Sequence, residues 1–229
     1  MENAIFEEKK VSKAYMKLSL PLVLSMTVSL IYNLADTFFV AQTQNTNIVA
    51  GVSLCAPLFT TLMALGNIFG QGGSSLISRL LGKNDTTATR RVSAFCFWGA
   101  ILIGVLMGFI MLLFCTPLLY VIGANEETFN FARDYYTWLA IGAPALVLSF
   151  IHSNLLRSEG MSKESMIGTM GGAIVNILLD PIFIFVLGLN AGGAAMASVI
   201  GYIFSDVYFA VGVAKKSKVL TLDIQETRI

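Results

Sequence analysis

Six apolar runs, each long enough to cross a bilayer as a helix, leave this chain few choices of fold. A hydrocarbon core ~30 Å thick takes about 20 consecutive apolar residues in an α-helix. Runs of that order occupy Leu18–Ala41, Val52–Ile77, Val92–Leu119, Ala132–Leu155, Met166–Leu187 and Ala194–Val213. In lipid each segment must satisfy its own backbone donors and acceptors, and a helix does so internally. Short polar stretches separate the runs: QTQNTN, RLLGKNDTTATRR, ANEETFN, RSEGMSKES and GLNAGG. These carry turn chemistry and leave no room for a soluble domain. Only 13% of the residues are charged, where a soluble domain has roughly 25%. The expected fold is all-α, a polytopic membrane bundle of about six transmembrane helices.

Charge tests the span count independently. Of the 15 Lys and Arg residues, all but Arg133 fall on one side of a six-span path. Lys9, Lys10, Lys13 and Lys17 precede the first span, and Arg79, Lys83, Arg90 and Arg91 follow the second. Arg157 and Lys163 follow the fourth, and Lys215, Lys216, Lys218 and Arg228 follow the sixth. The excess of Lys and Arg in cytoplasmic loops then predicts an inner-membrane protein with both termini in the cytoplasm. A net charge of +1, without a concentrated basic face, argues against a nucleic-acid partner. Cys55, Cys96 and Cys115 lie in apolar runs without CxxC spacing and read as packing residues.

Three acids fall inside the spans: Asp36, Asp180 and Asp206. An Asp at mid-helix costs ~2.5–3.5 kcal/mol on insertion scales, so each needs a proton, a cation or a polar partner. Asn33 precedes Asp36 by one turn, and Asn176 precedes Asp180 by one turn, so each amide shares a helix face with a carboxylate. Such pairs serve either as interhelical glue or as an ion pathway, and two of them in so uncharged a chain favour the pathway. Asp206 lies about 12 Å of helix from Lys215, which leaves it either buried or facing cytoplasmic water. Pro181 biases the backbone of Asp180 away from the α region.

Gly66 with Gly70, Gly104 with Gly108, and Gly168 with Gly172 form GxxxG patterns on three spans, which marks close helix contact. With a single histidine, His152, no multi-histidine metal site exists, and GxSxG and Walker A patterns are missing. His152 reads as a polar residue near the cytoplasmic end of its span. The chain is not expected to be an enzyme or to need a cofactor beyond a coupling ion.

LRSEGMSKESMIGTMGGAIVNILLDPIFIF (Leu156 to Phe185), GQGGSSLISRLLGKND (Gly70 to Asp85), NLADTFFVA (Asn33 to Ala41) and GAAMAS (Gly193 to Ser198) resemble, in this order, segments of the multidrug and toxic compound extrusion (MATE) family. The DinF- and NorM-like prokaryotic branch is the most similar. The resemblance implies one six-helix lobe of a two-lobe antiporter that exports cationic or lipophilic drug-like compounds against Na⁺ or H⁺ influx. By motif, its cation site falls on Asp36, Asn176, Asp180 and Ser198, with Asn154 as a further cavity-lining group beside Asn33. Ser198 stands where the family usually has Thr and keeps the hydroxyl.

The same resemblance makes residues 1–213 the amino-terminal lobe and residues 214–229 the start of a cytoplasmic connector. The second lobe is not within these 229 residues. A partner lobe or a second copy is therefore expected, as in a truncated or half-length transporter. Two alternatives remain. One is a flippase for lipid-linked precursors, which would want Lys or Arg inside the spans, where the pattern places none. The other is a non-transporting membrane half-protein.

Overall fold

A computed structural model describes residues 11–217, 219–221 and 223, without the side chains of residues 11–14, 17 and 18. Lys9, Lys10, Lys218 and Arg228 of the charge argument, and half of the expected connector, lie outside the described residues. Eight α-helices follow one another: α1 (Val11–Ala41), α2 (Thr46–Leu54), α3 (Ala56–Gly82), α4 (Thr86–Leu113), α5 (Cys115–Val121), α6 (Phe129–Ser158), α7 (Ser162–Pro181) and α8 (Asn190–Lys216). A π-helical turn, Ile182–Val186, extends α7.

Six stretches among the described residues are long and apolar enough to cross a membrane, and α2 with α3 makes one of them. The protein is an all-α, multi-pass membrane protein. Several helices overrun the expected spans into polar sequence. The Asp85 carboxylate accepts from Ala88 N at 3.0 Å and starts α4 six residues before Val92. Asn125 Oδ1 accepts from Thr128 N at 2.9 Å ahead of α6. The expected third span does not run on to Leu119; it breaks at Phe114, and α5 continues separately.

Burial is uneven, and α6 is the hub. About two thirds of its apolar window is buried (67%), against 11% for α1. Helices α3, α4 and α8 pack around α6, while α7 packs on α8 and α1 on α7. Glycine sets these approaches. A Cβ on Gly104 would come within 2.5 Å of Pro144 Cα, so α4 and α6 meet backbone to backbone. At Gly172 a Cβ would meet Gly201 O at 2.5 Å and the Ser205 hydroxyl, which fixes how closely α7 lies on α8. All three GxxxG pairs lie in helix contacts. Much of the outward surface of α1 is bare apolar side chain, including Leu30, Leu34 and Phe38.

Described residues just past α8 lie back against the lobe. Helix α8 runs to Lys216, past the expected boundary at Val213. Beyond it Leu220 is buried, Thr221 N donates to Ser93 Oγ at 3.3 Å, and Ser93 Oγ donates to Thr221 O at 3.2 Å. Lys216 Nζ pairs with Glu164 Oε1 of α7 at 2.8 Å.

Candidate functional site

Helix α7 places Asn176 and Asp180 one turn apart, both buried, at 2% and 0% exposure. Asn176 Nδ2 donates to Ser198 Oγ of α8 at 3.1 Å and reaches Asp180 Oδ1 at 3.4 Å. The amide is oriented by its two donors, so its oxygen points to neither partner. Asn176 Oδ1, Asp180 Oδ2 and Asp36 Oδ1 are all buried and have no hydrogen-bond partner among the described residues. Asp36 of α1 lies within electrostatic range of Asp180. Tyr32 and Tyr135 lie within electrostatic range of both acids, and Tyr202 within range of Asp36. The structure thus gathers Asp36, Asn176, Asp180 and Ser198 from three helices.

Asn33 behaves differently from the expected amide partner of Asp36. Its Nδ2 donates back to Ser29 O at 2.7 Å, and the side chain is exposed. It lines a cavity of about 810 Å³ bounded by α1, α3, α6, α7 and α8. Asn154 lines the same cavity and donates to Phe150 O at 2.8 Å. The cavity mixes apolar side chains such as Met26, Phe59 and Met63 with the amides of Asn67 and Gln71. Asn176 and Ser198 belong to its wall as well, whereas Asp36 and Asp180 do not. The amide and hydroxyl therefore stand between the cavity and the carboxylates behind it.

Asp180 keeps helical geometry despite Pro181, because α7 continues through the proline and the distortion comes in the π-turn after it. Arg157, expected in a loop, sits in the last turn of α6 and lines the cavity. That overturns the statement that no cation belongs to a span. Asp206 is buried (8%) and does not face cytoplasmic water, and His152 is buried (2%) beside it.

Sequence reasoning missed the tyrosines. Their signal was helical spacing: Tyr32 precedes Asp36 by one turn, and Tyr202 follows Ser198 by one. Among the described residues no three His, Cys, Asp or Glu side chains converge. Toward a ligand the cluster offers carboxylate, amide and hydroxyl oxygen, the donor set of a hard cation or a proton.

The family model described as MatE matches residues 21–182, which include Asp36, Asn176 and Asp180. The chain belongs to the MatE family. It is 34% identical over 224 residues to the multidrug export protein MepA of Staphylococcus saprophyticus. It is 33% identical over 223 residues to MepA of Staphylococcus haemolyticus. Each alignment covers 97% of this chain and 49% of the relative, so the chain spans about half the length of the curated relatives it matches.

Solved structures agree. A MOP superfamily transporter from Pyrococcus furiosus superposes with a TM-score of 0.87 at 29% identity, over 93% of this chain and 47% of that one. A multidrug resistance MATE family transporter in an outward-facing conformation gives 0.87 at 29% identity, over 93% and 48%.

Proposed function

We propose that this MatE chain is one lobe of a secondary antiporter that exports drug-like cationic or lipophilic compounds in exchange for Na⁺ or H⁺. The observation that carries the reading is the set of three buried, unpartnered oxygens on Asp36, Asn176 and Asp180. Two carboxylates removed from water and close to one another are costly unless positive charge offsets them. A proton or an oxygen-liganded Na⁺ supplies that charge. Its arrival draws α1, through Asp36, toward α7 and α8.

Coupling follows from the shared wall. Asn176 reaches Asp180 and Ser198 and, with Ser198, lines the cavity, so reorienting the amide toward a bound cation changes the surface a drug meets. Drug and cation then disfavour each other's binding, as exchange requires. Alternating access needs one repeat to rock against another, and the double length of the relatives supports a second six-helix lobe, supplied by the same polypeptide or by another copy. The charge asymmetry supports cytoplasmic termini in an inner membrane. We read the function as transport, not enzymatic catalysis. Arg157 favours a second reading, a cavity for an anionic or lipid-linked substrate, but it is the one cation among amides, hydroxyls and apolar side chains in the described lining, which suit a neutral or cationic ligand better.

Thermal unfolding of the purified chain in detergent tests the ion claim, because a ligand bound only by the native state stabilises it. Na⁺, measured against choline, or a lower pH should raise the midpoint of the wild type, and Asp36→Asn with Asp180→Asn should remove the rise. Equal responses in wild type and the double variant would count against the site.

A further inference from the structure

His152 of α6 and Asp206 of α8 form a second buried pair of ionisable groups, away from the cation cluster. Their exposures are 2% and 8%. His152 Nδ1 lies 3.5 Å from Asp206 Oδ1, close for two charges but beyond the ~2.7–3.2 Å of a made hydrogen bond. Neither ring nitrogen and neither carboxylate oxygen has a hydrogen-bond partner among the described residues. Apolar rings pack against the imidazole. Phe97 of α4 lies tilted over it at 5.2 Å, and Phe209 of α8 stands edge-on at 6.2 Å. From α7 comes Gly168, against the ring of Phe209.

Charged groups on the helices packed around the pair are engaged elsewhere or act elsewhere. Glu164 of α7 pairs with Lys216 of α8, and Arg157 of α6 lines the cavity. Arg79 of α3, Arg90 and Arg91 of α4 and Lys163 of α7 belong to helix ends on the loop side. The electrostatic influence on Asp206 comes from His152 alone among these.

Two lone ionisable groups in an apolar shell are tolerable when they hold one proton between them, either as imidazolium with carboxylate or as imidazole with carboxylic acid. With two protons or none, the pair carries a net buried charge. One carboxylate and one imidazole do not make the oxygen cage that a hard cation such as Na⁺ requires, so the ligand this chemistry takes is the proton. We propose that His152 and Asp206 form a second proton-binding site of this lobe, chemically separate from the Asp36–Asp180 cluster.

The site has mechanical consequences. Helix α6 carries His152 and the cavity residue Asn154, and α8 carries Asp206 and, eight residues earlier, Ser198. Gain or loss of the shared proton bears on how α6 and α8 hold together at this level of the bundle. Ser198, Tyr202 and Asp206 are spaced by one turn each, on one side of α8.

The chain has one histidine, so selective ¹⁵N-histidine labelling of the full chain, purified in detergent without a histidine tag, gives the His152 ring alone. Recorded at a series of pH values, the ring signals should differ between wild type and Asp206→Asn and should agree between wild type and Asp36→Asn or Asp180→Asn. Ring signals in Asp206→Asn that superimpose on the wild type at every pH would overturn the proposal, as would an equal displacement in Asp180→Asn. Should Asp206→Asn not fold, Asp206→Glu decides: a series displaced from the wild type supports the pair, and one superimposable on it overturns the proposal.

Discussion

Asp180 and Asp206 sit on neighbouring helices at 0% and 8% exposure, yet different company fits them for different ions. Around Asp180 the polar atoms are oxygens from three helices, and an amide and a hydroxyl connect them to an 810 Å³ cavity. Beside Asp206 stands one imidazole, itself packed against two phenyl rings. The first region, as proposed, takes a proton or Na⁺ and feels a drug in the cavity. The second, as proposed, takes a proton and feels the packing of α6 on α8. Burial alone therefore does not mark a coupling site; the donor set and its access to the cavity do.

The contact that should separate the regions most sharply is Gly172. A side chain there would strike Gly201 O and the Ser205 hydroxyl and push α8 away from α7. Gly172→Val should destabilise the chain by ~1–3 kcal/mol through overpacking. It should also weaken cation-dependent stabilisation about tenfold or more, since that is ~1.4 kcal/mol of binding lost when Ser198 parts from Asn176. Gly72→Ala, at a position with no neighbour within 4 Å, should leave both within error. Thermal unfolding with and without Na⁺, or at two pH values, reads both effects. Equal behaviour of the two variants would break the link between helix spacing and the site.

Ser198→Ala should act more mildly. It removes one neutral oxygen and one partner of Asn176 while both carboxylates stay, a loss of about 1 kcal/mol or roughly fivefold in cation affinity. The same unfolding titration measures it, and an affinity unchanged from wild type would remove Ser198 from the site. The smallest effect is expected for His152→Gln, with cation affinity within about twofold of wild type, because additivity holds for separated sites. A tenfold change would show that the two regions are one network.

Most of the fold was legible because hydropathy and charge state it directly: six runs, with all Lys and Arg but Arg133 on one side of a six-span path. The capped extensions at Asp85 and Asn125 lay in polar sequence, where hydropathy is silent. Asp36, Asn176 and Asp180 were visible as costly groups in lipid, and Ser198 and Asn154 only through the family resemblance. Helical spacing could not show that Asn33 turns to the cavity while Asp36 turns behind it, because residues three apart are still offset around the helix. Nor could it pair His152 with Asp206, since that contact joins residues far apart in the chain and depends on how α6 and α8 cross.

The central claim is that Asp36 and Asp180 carry the ion that drives export. Ethidium efflux from cells expressing this lobe with a second six-helix lobe that restores transport, normalised to protein in the membrane, tests it most directly. Asp36→Asn and Asp180→Asn should each lower efflux about tenfold or more with insertion intact, since removing a charge from lipid lowers the insertion cost. Asp206→Asn should stay within about threefold of wild type, because its donor set serves a separate proton. If Asp36 and Asp180 only bind helices together, Asn would still hydrogen-bond across them, and near-normal efflux in both variants would contradict the account.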